Sequence, residues 1–299
     1  MPPPHPAAAR AALPALLLEA ALLLCWSGGF VGVRFANDYA PIFSILLWRS
    51  LVSGLLLLPW ALTRGPRLCW AGVRSQLTQG ALAMAAYLGS FAYAIANGVP
   101  TGVVALITDM LPLVVALLSW PVLGQALRPR QWWGSGLGLL GVLLASGVGT
   151  GGGTAPAWAY ALPVAGTVAL ALATLHPVPR AQAMPIHQQL CIQCLGAAAI
   201  FALPAWREGG WLPTASVGFV AGILWLALVA TFGAWGLYYL ALRRSAAARV
   251  TVVLYLSPPV TMVWAWLMFG EPLSWAMALG FMVSLAGIVL FARARTSGA

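Results

Sequence analysis

The chain has no lysine, five acidic residues and three histidines in 299 positions. Glu19, Asp38, Asp109, Glu208 and Glu271 are scattered, and neither they nor the histidines form a cluster. A membrane enzyme needs grouped acids and histidines or an activated nucleophile, so catalysis is not expected. A Walker motif is also missing, which excludes ATP as the direct energy source. Four cysteines include the pair Cys191 and Cys194, but no second pair or nearby histidine completes a tetrahedral site. They read as small packing hydrophobes, and no metal and no cofactor is expected. Charged residues make up 7% of the chain, against about 25% in ordinary domains. That scarcity excludes a water-soluble globule. The 15 arginines fall between apolar stretches and form no groove-reading patch, so nucleic acid is not an expected partner.

What is abundant is apolar sequence: 62% of residues, with mean hydropathy +0.91. Roughly 20 apolar residues cross the hydrocarbon core. Ten stretches reach that scale: 13–33, 41–62, 75–97, 101–122, 132–149, 157–176, 186–206, 215–241, 246–269 and 273–292. The expected fold is therefore all-α, a polytopic protein whose solvent is membrane lipid. The first stretch follows Arg10 but lacks a small-residue cleavage site, and is read as retained.

Arginine placement predicts orientation. With the N-terminus inside, the cytoplasmic segments hold Arg10; Arg64, Arg67 and Arg74; Arg128 and Arg130; Arg180; Arg243, Arg244 and Arg249; Arg293 and Arg295. The outer loops hold Arg34 and Arg207 alone, and Arg49 lies within the second span. Both termini are expected in the cytoplasm of a bacterial-type inner or plasma membrane.

Residues Tyr93 to Leu144 also align without a gap on Tyr239 to Leu290, at a constant offset of 146. Pro112 meets Pro258, Gly124-Gln125 meets Gly270-Glu271, and Gly134 and Gly141 meet Gly280 and Gly287. Five spans per half is an odd number, so the second copy enters the bilayer from the opposite side. Two five-helix repeats follow, residues 1–149 and 150–299, joined by the flexible Gly149–Thr154 connector. Inverted repeats mark secondary transporters, whose substrate sits between two halves that rock against each other.

The run Leu256-Ser257-Pro258-Pro259, then Gly270-Glu271-Pro272-Leu273, Gly280 and Ala286-Gly287-Ile288-Val289-Leu290 resembles the EamA branch of the drug/metabolite transporter superfamily. The first-half counterpart, Leu111-Pro112-Leu113 to Gly124-Gln125 and Gly141-Val142-Leu143-Leu144, departs from that pattern at Gln125, where the family usually has glutamate. Trp26 and Trp48-Arg49 resemble weaker signatures of the same family. The resemblance implies ten helices in two inverted repeats, with a cavity lined by spans 1, 3, 4, 6, 8 and 9. It also implies proton-coupled or facilitated movement of small-molecule metabolites, commonly export. In overall character the chain is most similar to the YddG-type exporters of aromatic and other neutral amino acids. The alternative within transport is efflux of aromatic organic cations.

Polar groups are costly in hydrocarbon, so those inside spans are the candidates for substrate binding. Asp109 lies eight residues into the fourth span, roughly 12 Å deep at 1.5 Å per residue, and its repeat partner is Tyr255. It would hold a substrate ammonium or the coupling proton, or else be a structural acid bonded to Thr108. Glu19, Trp26 and Phe30 share a helical face. Tyr87 and Phe91 stand on another, below Gln79 and Ala83. Aromatic walls of this kind suit ring stacking or cation–π contact, although packing alone would also produce such stripes. Arg49 is read first as structural, with pairing to Glu19 the alternative. Pro112 and Pro258 remove a backbone hydrogen bond at equivalent mid-span places, so they are either hinges or static kinks.

Overall fold

The computed structural model describes residues 6–124, 128–147, 155–176, 184–244, 250 and 253–296. Gln125, the Gly149–Thr154 connector, Arg180 and Arg249 lie outside the described residues. Among the described residues there is no strand, because a backbone surrounded by lipid must satisfy its own N–H and C=O groups. The first helices are α1 (Pro6–Asn37), α2 (Ile42–Thr63), α3 (Trp70–Gly80), α4 (Leu88–Ala96), α5 (Thr101–Thr108), α6 (Leu111–Leu123) and α7 (Pro129–Ser146). The rest are α8 (Ala157–Leu175), α9 (Ile186–Arg207), α10 (Val217–Trp225), α11 (Ala234–Arg244), α12 (Ser257–Phe269) and α13 (Trp275–Thr296). Eight helical stretches, one of them spanning both α5 and α6, are long and apolar enough to cross a membrane. The two remaining expected spans contain α7 and α12, which fall short of that length or apolarity.

The departures from regular helix recur at the repeat offset. A π-helical segment, Ala81–Tyr87, joins α3 to α4, and another, Leu226–Gly233, joins α10 to α11. A π turn widens the helix by one residue, and such turns are frequent at functional sites. Between α5 and α6 the chain turns at Asp109 and Met110; before α12 it turns at Tyr255 and Leu256. The hydrogen bonds match. Met110 N donates to Ile107 O at 3.2 Å, and Leu256 N to Val253 O at 3.1 Å. Val114 N donates to Met110 O and Val260 N to Leu256 O, at 3.1 and 3.3 Å. Pro112 and Pro258 are thus not kinks within a continuous helix. Each occupies the first turn of a new one, where its missing N–H removes no helical hydrogen bond. Both new helices end at a left-handed glycine, Gly124 (φ 69°) and Gly270 (φ 67°).

Packing follows small residues. The tightest crossing joins α7 to α13 through Gly134, Gly138 and Gly141 on one side and Gly280 and Gly287 on the other. A Cβ added to Gly134 would lie 2.8 Å from the Gly287 carbonyl, and one on Gly287 would lie 2.6 Å from the Gly134 carbonyl. The Ser284 hydroxyl donates to the Gly138 carbonyl across this seam, at 3.1 Å. Helices associate this closely in lipid only where side chains are nearly absent. Elsewhere α2 lies along α9, α5 meets α12, and α8 covers the first π segment. Helix α1 passes the second π segment, where the Trp225 indole fits over Gly28 and Gly32 and donates to the Gly28 carbonyl at 2.9 Å.

Candidate functional site

The helix break places Asp109 where a regular helix would not leave a carboxylate. Its Oδ2 is buried and has no hydrogen-bond partner. The Ser257 hydroxyl, on the first residue of α12, is likewise buried and stands beside it as the nearest donor. Trp26 of α1 borders the same carboxylate, and Tyr87 and Tyr255 lie within its electrostatic reach. Thr108 does not hold Asp109 in place: its hydroxyl donates to the carbonyls of Val104 and Ala105, both at 3.0 Å. The repeat-equivalent turns thus meet here, with an acid on one and a phenol on the other.

A cavity of about 60 Å³ adjoins this point, lined by Trp26, Phe30, Arg49, Tyr87, Phe91 and Trp235 among others. Rings form its walls. Tyr87 meets Phe91 edge-on at 5.3 Å, Phe30 lies 5.1 Å from Phe91, and Trp26 lies 5.9 Å from both Trp235 and Tyr238. The π segments build much of this space, since Tyr87 ends the first and Ala230 belongs to the second. The cavity holds about two waters, so an amino-acid-sized molecule would require the walls to separate. A further cavity of about 190 Å³ shares Ala83 and Trp235 with it and carries Gln79, Thr174, Gln189 and Gln193. Polar lining therefore continues from the aromatic chamber towards the start of α9.

Two larger clefts are less suited to a ligand that must be oriented. One, of about 300 Å³, runs between α6 and α7 and is lined by residues such as Leu113, Leu117 and Trp132. The other, of about 420 Å³, lies between α12 and α13 at the matching repeat positions Pro259, Val263 and Ala278. Neither contains a charged side chain.

Of the sequence-predicted site residues, Trp26, Tyr87 and Phe91 line the chamber; Asp109 lies outside its lining, beside Trp26, with Tyr255 in its electrostatic reach. Glu19 is buried but lies seven residues before Trp26 on α1, roughly 10 Å along the axis, and is not in the chamber wall. Arg49 does not pair with Glu19; its Nη2 donates to the Thr231 hydroxyl at 2.9 Å. Sequence reasoning missed span two as a wall and Trp235 as a ring of the chamber. The signal for the first was available: an arginine inside an apolar span. Cys191 and Cys194 are buried and free, and Cys191 Sγ donates to the Gly54 carbonyl at 3.4 Å, as packing residues do. Among the described residues no group of three or more His, Cys, Asp or Glu could hold a metal.

At the opposite end from the arginine-rich segments, Glu271 ties three elements together. One carboxylate oxygen accepts from the Thr101 N–H at 2.7 Å and the other from the Thr101 hydroxyl at 2.6 Å. Arg34 at the end of α1 approaches the same carboxylate at 3.7 Å, pairs with Asp38, and lies 4.9 Å from the Phe269 ring centre. A carboxylate at the first turn of α5 also satisfies an N–H that the helix leaves open.

Comparison with known proteins agrees with this architecture. The EamA-like transporter family matches twice, over residues 13–147 and 158–293. An uncharacterized inner membrane transporter of Escherichia coli, YedA, is 26% identical over 88% of this chain and 86% of its own length. A probable terminal-alkyne amino-acid exporter of Streptantibioticus cattleyicolor is 28% identical over 92% of both chains. One crystal structure superposes with a TM-score of 0.61 at 21% identity, covering 95% of this chain and 99% of the other. With the family matched across both halves, this chain is a multi-pass membrane transporter, not an enzyme, and belongs to the EamA-like transporter family.

Proposed function

We propose that the chain exports small neutral metabolites, above all neutral or aromatic amino acids, by alternating access between two inverted five-helix repeats, residues 1–149 and 150–299. The observation that carries this reading is Asp109: a buried carboxyl at a helix break, its Oδ2 without a hydrogen-bond partner, beside Trp26 of the aromatic chamber. Such a group binds an ammonium or exchanges a proton, and the cost of holding it in hydrocarbon is retained only where it acts. The amino-acid exporter among the relatives supports the same substrate class. Pro112 and Pro258, beside the paired turns, are the bending points of this scheme. Arginine distribution supports cytoplasmic termini, which puts the Gln79–Gln193 cavity on the cytoplasmic side and Glu271 on the outer side. An acid among aromatic rings also suits aromatic organic cations, and that is the second reading.

Purified protein in liposomes, given labelled neutral amino acids and cations with and without a pH gradient, tests both. Uptake of amino acids that rises with the gradient is expected, and Asp109→Asn should lower it by at least about tenfold, the effect of about 1.4 kcal/mol. Movement of cations alone would establish the second reading. Undiminished transport by Asp109→Asn would remove that residue from the mechanism.

A further inference from the structure

Arg49 is the one charged group in the chamber wall, and it is poorly provided for as a structural residue. It is 5% exposed, and its guanidinium donates once, to Thr231. An arginine has five N–H donors. The others reach no protein acceptor among the described residues, and the side chain opens onto the chamber. No carboxylate pairs with it: among the described residues, the ion pairs are those of Arg34 with Asp38 and Glu271. A buried cation without a counter-ion is costly, and a missing anion is the simplest account of its retention. Thr231 belongs to the second π segment and also donates to the Leu226 carbonyl at 2.9 Å, so the single hydrogen bond anchors the guanidinium to a rigid backbone feature.

Asp109, of opposite charge and equally without an ion-pair partner, shares two wall residues with Arg49. Trp26 borders the Asp109 carboxylate, Tyr87 lies within its electrostatic reach, and both line the chamber that Arg49 faces. The two charges are not paired with each other. We infer that Arg49 is the carboxylate-binding residue of the transport site: it receives the α-carboxylate of a zwitterionic amino acid through its planar N–H fork, while Asp109 receives the ammonium. This rests on the amino-acid reading above and adds its second charge. A zwitterion neutralises both buried groups at once, whereas an amine or an acid leaves one of them unpaired. Phe30, Phe91 and Trp235 would then enclose the side chain between the two ends.

Competition against labelled phenylalanine on reconstituted wild-type protein tests this without any variant, using phenylalanine, phenethylamine and phenylpropionate as competitors. Phenylalanine should compete at least about tenfold better than either analogue. In Arg49→Gln, eluting as a monodisperse species, phenylalanine affinity should fall by about tenfold or more while that of phenethylamine holds. Arg49→Lys should recover part of the loss. Equal competition by phenethylamine and phenylalanine in the wild type overturns the assignment while leaving an ammonium-binding transporter standing. An Arg49→Gln variant that weakens both ligands alike overturns it too, as that is what a structural arginine does. A wild type that neither binds nor moves phenylalanine defeats the amino-acid reading itself, and the role of Arg49 with it.

Discussion

A single hydroxyl decides where the guanidinium of Arg49 points. Thr231 is 1% exposed, accepts from Arg49 and donates to the Leu226 carbonyl, so both of its roles are in use. Valine has the same shape without either hydrogen bond. Thr231→Val should lower stability by about 1.5–3 kcal/mol, the worth of a hydrogen bond to a charged group, read as a lower melting temperature in detergent. It should also weaken phenylalanine more than phenethylamine, because a released guanidinium no longer presents a fixed fork. The asymmetry between the repeats is also a matter of single residues. Asp109 and Tyr255 occupy equivalent turns, yet one bears a carboxyl group and the other a phenol. The shared backbone turn supplies the place, and the mismatch supplies the chemistry.

Among the elements, α7 and α13 form the firmest pair, and their contact depends on the absence of side chains. A Cβ on Gly141 would meet the Gly280 carbonyl and Ser284, both parts of the facing helix that cannot swing aside freely. Gly141→Leu should therefore cost about 1–3 kcal/mol or more, as overpacking does, and the melting temperature should drop accordingly. Gly136→Leu is the matched control. Nothing lies within 4 Å of a Cβ there, so the melting temperature should barely change. The two π segments show the opposite use of an element. They widen α3–α4 and α10–α11 at equivalent places, and residues of both, Tyr87 and Ala230, line the chamber. Sequence spacing does not show this widening, because residues four apart fit an α turn and a π turn almost equally well.

At the scale of the whole molecule, the 146-residue echo does not extend to the contact at Glu271. Arg34, Thr101 and Glu271 latch one side; within the aligned repeat, Thr101 and Glu271 match Ala247 and Gln125 in sequence. Neither of those positions carries a carboxylate or a hydroxyl. Glu271→Ala should release α5 from α1 and favour an outward-open state. In a background with the four native cysteines replaced, Val103→Cys should react several-fold faster with an impermeant maleimide once Glu271 is alanine. Val103 is 1% exposed beneath the latch, so an unchanged rate would show that the contact does not hold this side closed.

The apolar spans, the arginine bias, the 146-residue echo and the depth of Asp109 were all legible in the sequence. Each depends on length, charge or local chemistry, and the bilayer imposes those requirements on every chain that crosses it. Which face of each span turns inward was not legible. Lipid tails and helix interiors are equally apolar, so neither leaves the sharp polar stripe that a water-exposed helix shows. Only the tertiary structure brought the Asp109 and Tyr255 turns together, set Glu19 apart from the chamber, and aimed Arg49 at Thr231 rather than at Glu19. Those outcomes depend on how helices cross, and the crossings are decided by glycine contacts between residues far apart in the chain.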